Sequence, residues 1–133
     1  MWRWGDLAFY LAVLVFAVWK RPHSPVLVAA LILALITFPL WIIARVQLGS
    51  AFSFRARADH LVTSGLYSRI RHPVYLFGSI AGLASVLALQ VWWILVIAVP
   101  LEAITIIRAI REERVLLSVF GEEYARYRER TWF

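Results

Sequence analysis

Arg71-His-Pro-Val-Tyr75 and Arg108-Ala-Ile-Arg-Glu-Glu113 are the stretches of this chain whose residue types could do chemistry. In the first, Pro73 has a fixed φ and no amide hydrogen, which suits the first turn of a helix and bars its extension backwards. His72 then falls at the cap, where first-turn amides and the positive end of the helix dipole can hold an anionic group. In the second, Arg108 and Glu112 are four apart and project from one helix face. An arginine fork grips a carboxylate, and a glutamate accepts hydrogen bonds from hydroxyls or an amine. Each piece also has an ordinary reading. Arg-His-Pro could be an interface anchor and helix start, and Arg108–Glu112 a surface ion pair worth roughly a few tenths of a kcal/mol.

The setting of these residues is apolar. Of 133 residues, 62% are hydrophobic, against roughly 45–50% in soluble domains, so we expect an integral membrane protein with one domain over 1–133. The net charge of +6 comes from basic residues that flank apolar runs. That placement suits topology and anionic lipid, not nucleic acid. The chain has no cysteine, which excludes disulfides, a thiolate nucleophile and cysteine–metal sites. His23, His60 and His72 lack metal-ligand spacing. No G-x-G-x-x-G, P-loop or G-x-S-x-G pattern is present.

Positioning falls to helices. The fold expected is all-α and polytopic, with spans at about 4–19, 26–44, 74–89 and 91–107. The first span is short, but tryptophans bracket it. It carries Asp6 and no A-x-A-like site follows, so it reads as a retained span. The region 74–107 would measure about 50 Å as one helix, too long for one crossing, and Gln90 suggests a hairpin. Gly78, Gly82 and Ser85 share a face that permits close approach to a neighbour. Pro39 would kink the second span. Four crossings put Arg45–Pro73 and the arginines after Ile107 on one side, the cytoplasm by the positive-inside rule. Arg108–Arg130 reads as an amphipathic cytoplasmic helix with Leu116, Leu117, Phe120, Tyr124 and Tyr127 on its apolar face. Glu102 lies inside the fourth span, where an ionisable residue either meets substrate or makes an interhelical hydrogen bond.

Taken in order, Leu61-Val-Thr-Ser-Gly-Leu-Tyr67, Arg71-His-Pro-Val-Tyr75, a hairpin, Arg108-x-x-x-Glu112-Glu113 and Phe120-Gly-Glu-Glu-Tyr-x-x-Tyr127 resemble a known family. It is the isoprenylcysteine carboxyl methyltransferase family, with its membrane phospholipid methyltransferase relatives, and the likeness runs from roughly Arg45 to Tyr127. The resemblance implies a helical membrane enzyme that uses S-adenosylmethionine and releases S-adenosylhomocysteine. It implies a cofactor region formed by 59–75 and 108–127. Carried over residue by residue, the cofactor contacts would be Asp59, His60, Leu61, Val62, Tyr67, His72, Pro73, Val74, Tyr75 and Glu112. Arg108 matches the position that meets the methyl acceptor, which makes Arg108 and Glu112 the catalytic pair. The acceptor implied is a lipophilic or prenylated carboxylate at the membrane. A phospholipid or small amine on the same fold, or a membrane scaffold without catalysis, remain the alternatives.

Overall fold

The computed structural model describes residues 5–20, 24–49 and 61–132. Helix α1 is Gly5–Lys20, α2 Pro25–Leu48, α3 Pro73–Leu89, α4 Leu95–Phe120 and α5 Glu122–Arg130. Among the described residues there is no strand, only an isolated parallel bridge between Ile70 and Trp132. Two helical stretches, Pro25–Leu48 and Trp92–Phe120, are long and apolar enough to cross a membrane. Helices α1 and α3 have 16 and 17 residues, about 25 Å each at 1.5 Å per residue.

The helix ends follow local chemistry. Ser24 caps α2 by accepting the Leu27 amide, with Pro25 in the first turn. Gln90 ends α3 in the left-handed conformation, its amide bonded back to the carbonyls of Val86 and Leu87. Its side-chain Nε2 donates to Ser24 Oγ, joining the α1–α2 and α3–α4 turns at one end of the bundle. At the other end, Arg45 of α2 pairs with Asp6 of α1 and lies over the Trp41 ring, 4.6 Å from its centroid. Pro39 and Pro100 both lie inside helices. Pro100 cannot donate to the carbonyl of Val96, which leaves a soft point about one fifth of the way along α4.

Helices α2 and α3 make the main seam. The buried stripe of α2 runs Leu27, Ala30, Ala34, Phe38, Trp41, Ala44, and that of α3 runs Val74, Phe77, Ala81, Ala84, Ala88. Both repeat every three or four residues, and alanines at the crossing let the backbones approach, which is how helices gain packing energy without a hydrophobic drive. The small-residue face expected at Gly78, Gly82 and Ser85 is thus only part of the story. Trp41 covers Gly78, Gly82 looks towards α1 and α4, and the tight α2–α3 contact is made by alanines.

Helix α4 packs far more lightly, and none of its described residues is buried. The helix expected over 108–130 is also divided. Residues to Phe120 continue α4, and Gly121, with φ +50°, breaks it before α5. A positive φ is a conformation glycine adopts without cost, so the chain turns there. Of the apolar face foreseen, Tyr124 and Tyr127 are buried, while Leu117 is exposed among the described residues.

Candidate active site

Where α2 ends, the chain forms a 3₁₀ turn over Gly65–Ser68 and then enters α3. Gly65 has φ +63°, and the Gln47 side chain occupies the space where its Cβ would be. Gln47 Oε1 in turn accepts the Leu66 amide at 2.8 Å, fastening the turn to α2. The Ile70 amide bonds to the Leu66 carbonyl at 3.0 Å, completing the lead-in to the Arg71-His-Pro run. Pro73 opens α3, and no side chain caps its N-terminus.

The end of the chain closes over this turn. Tyr127 donates its hydroxyl to the Tyr67 carbonyl at 2.6 Å. The Trp132 amide donates to the Arg69 carbonyl at 2.7 Å, and the Arg71 amide to the Trp132 carbonyl at 3.2 Å. Helix α4 supplies the acids. Glu113 Oε1 lies 3.0 Å from Arg71 Nη1 and 3.3 Å from His72 Nε2. Glu112 takes a hydrogen bond from the Tyr75 phenol and stands near Tyr67 and Tyr124. Arg108, one turn earlier on α4, acts electrostatically on Tyr75 as well.

These phenols are held neutral. Burial, then the Glu112 carboxylate, raises Tyr67 well above the ordinary phenol range. Burial and Glu113 push Tyr124 up to about 12 against the opposing pull of Arg71. Burial does the same for Tyr127, also to about 12, again opposed by Arg71. At physiological pH all three are therefore hydrogen-bond donors. Two donors here lack a partner. The Tyr124 hydroxyl and Arg71 Nε are buried and have no acceptor among the described residues. A buried donor left unmade costs about 1–3 kcal/mol, so a ligand rich in acceptor oxygens would fit. The carboxylate and ribose hydroxyls of S-adenosylmethionine have that chemistry, and Glu112 could accept from its hydroxyls or amine.

Of the residues expected here, Tyr67, His72, Tyr75, Arg108 and Glu112 come together at this end of the bundle. Pro73 and Val74 are buried in the helix start, so they would meet a ligand through their backbone. Val62 packs on the hydrophobic core and Leu61 is half-buried, with no polar contact to the cluster. Asp59 and His60 lie outside the described residues. Glu113, Arg71, Tyr124 and Tyr127 were not assigned to the site from sequence, although all four stand inside the motifs that pointed to it.

The match to a family model puts the chain in the isoprenylcysteine carboxyl methyltransferase-type group of membrane methyltransferases. Within that group the chain belongs to the phospholipid methyltransferase family, whose profile matches residues 24–123. No curated protein and no solved structure matches it significantly. The family match begins with α2, so α1 lies outside it, as do Tyr124 and Tyr127.

Proposed function

We propose that the chain is an S-adenosylmethionine-dependent methyltransferase that O-methylates a carboxylate on a lipophilic, isoprenylcysteine-like acceptor. The observation that carries the proposal is Glu112 set among the phenols of Tyr67, Tyr75 and Tyr124, beside two buried donors without acceptors. When bound, S-adenosylmethionine would supply a methyl group on a sulfonium, and transfer forms an O–C bond as the C–S bond breaks. The residues' task is to bind, orient and exclude water. Glu112 accepts hydrogen bonds from the cofactor, Tyr124 and Arg71 donate, and His72 with Glu113 fixes the lead into α3. Arg108 orients the acceptor carboxylate, which is ionised near neutral pH and needs no general base.

The whole chain acts as one domain. In this reading α1, α2, α3 and α4 cross the membrane, with Arg45, Arg71 and Arg108 at the cytoplasmic side and α5 lying there as an amphipathic helix. The shared end of Asp6, Arg45, His72 and Glu113 supports that arrangement, as does the Ser24–Gln90 bond at the opposite end.

A second reading, methylation of a phospholipid amine, is favoured by the family's description. Calorimetry with S-adenosylmethionine and S-adenosylhomocysteine on detergent-purified protein tests the common part. Micromolar binding lost in Glu112→Gln is expected, and no binding by folded wild type would defeat both readings. Turnover of a prenylcysteine carboxylate against phosphatidylethanolamine then separates them. Carboxylate turnover that collapses in Arg108→Ala supports the first, and amine turnover indifferent to Arg108→Ala the second.

A further inference from the structure

Three backbone groups in the lead into α3 are answered by the end of the chain. The Ile70 amide reaches back to the Leu66 carbonyl at 3.0 Å, an α-helical rung. The next rung would join the Arg71 amide to the Tyr67 carbonyl, yet each takes a C-terminal partner instead. The Tyr67 carbonyl accepts the Tyr127 hydroxyl at 2.6 Å, and the Arg71 amide donates to the Trp132 carbonyl at 3.2 Å. The Arg69 carbonyl would face position 73 in such a helix, where proline has no N–H. The Trp132 amide supplies the missing donor at 2.7 Å. The helix is thus stopped one rung short, and residues 67–71 are held from Tyr127 and Trp132.

A C-terminal segment can close over a turn merely to cover it. These bonds, however, all fall on the stretch between the two side chains that face the acids of α4. Tyr67 stands near Glu112, and Arg71 Nη1 lies 3.0 Å from Glu113. Tyr127 is only 6% exposed, so its bond to the Tyr67 carbonyl is shielded from water. Trp132 is the opposite case. Its side chain is 78% exposed, while its amide and carbonyl both bond to the turn. A residue that buries little of its ring and commits both backbone groups acts as a template for its partner, not as packing. The segment lies beyond residue 123, where the family match ends.

We propose that Tyr127–Trp132 is a clasp that positions the cofactor turn, with Tyr127 as a positioning residue acting through the Tyr67 carbonyl. By keeping the 67–71 rung open, the clasp holds the Tyr67 phenol towards Glu112 and Arg71 on Glu113. This rests on the reading of the site as one for S-adenosylmethionine. The test is calorimetry with S-adenosylhomocysteine together with hydrogen exchange, both on the detergent-solubilised full chain. Tyr127→Phe should weaken binding roughly tenfold and speed exchange in 65–72 and 128–132, with the α2–α3 seam unchanged. Trp132→Pro, which removes the donor to Arg69, should do the same, and by more than Trp132→Ala, which keeps it. Thr131 already has φ −119° and ψ 149°, a conformation that precedes proline without strain. Exchange that rises throughout the bundle while affinity holds would make Tyr127 a structural tie and overturn the clasp. Unchanged exchange in 65–72, wild-type affinity in Tyr127→Phe, or equal behaviour of the two Trp132 variants would overturn it too. Those results leave the methyltransferase reading standing, whereas no binding by folded wild type would overturn both. Should Tyr127→Phe fail to fold, the two Trp132 variants decide.

Discussion

A single oxygen, Oε1 of Glu113, answers both Arg71 and His72 at the mouth of α3. Removing it leaves a half-buried guanidinium and a buried imidazole without their acceptor. Glu113→Ala should therefore cost about 1–2 kcal/mol, read as a lower melting temperature in detergent, while Glu112→Gln should leave stability intact. The phenols make a separate prediction. Tyr124 and Tyr127 keep their protons to about 12 in the folded chain, against 10.0 when unperturbed. Their contribution to stability is complete below pH 10 and is lost as pH rises to about 12, because the unfolded chain ionises first. The melting temperature should fall across that window, and less so in a Tyr124→Phe, Tyr127→Phe double variant. The family resemblance grouped Tyr67, His72, Tyr75 and Glu112 from sequence, and the fold brings those side chains to one end of the bundle. The sequence was not enough to separate Glu113 from a solvated face. Which of two adjacent glutamates turns inward depends on the rotation of α4 against α3, and that is set by tertiary packing.

At the scale of elements, the glycines of α3 divide by what stands opposite. A Cβ on Gly78 would press on the Trp41 indole at 3.2–3.3 Å, whereas one on Gly82 would meet Glu102 and Tyr10 at ordinary contact distance. Gly78→Ala should thus destabilise the bundle by roughly 1–3 kcal/mol through overpacking. Gly82→Ala should be tolerated, and Gly82→Leu, which must displace both polar neighbours, should not. Thermal unfolding of the three variants checks the order. Helix ends at Pro73 and Gln90 were readable from proline chemistry and from the length a membrane allows. The break at Gly121 was not, since an amphipathic pattern continues across it and only the backbone shows the turn. The alanine seam was equally hidden, because alanine fits any helix and marks an interface only once its partner is known.

For the whole molecule, lengths and charges converge. Helix α4 has 26 residues, about 39 Å, so a hydrocarbon core of roughly 30 Å counted from Leu95 ends just beyond Glu112 and Glu113 and leaves the last turn outside it. The absence of cysteine allows a direct test of orientation. Trp93→Cys, at the far turn, should react with a membrane-impermeant maleimide on intact cells, and Ser118→Cys only after lysis. Labelling of both from outside would contradict a membrane crossing by α4, and the reverse pattern would invert the protein.

Helix α4 carries Glu102, Arg108, Glu112 and Glu113 on one uninterrupted stretch beyond Pro100. Its ties to α3 and the lead into it are polar, Glu102 to Ser79 and Glu113 to Arg71 and His72, so the helix that carries the acids is held by hydrogen bonds and charge where its neighbours are held by packing.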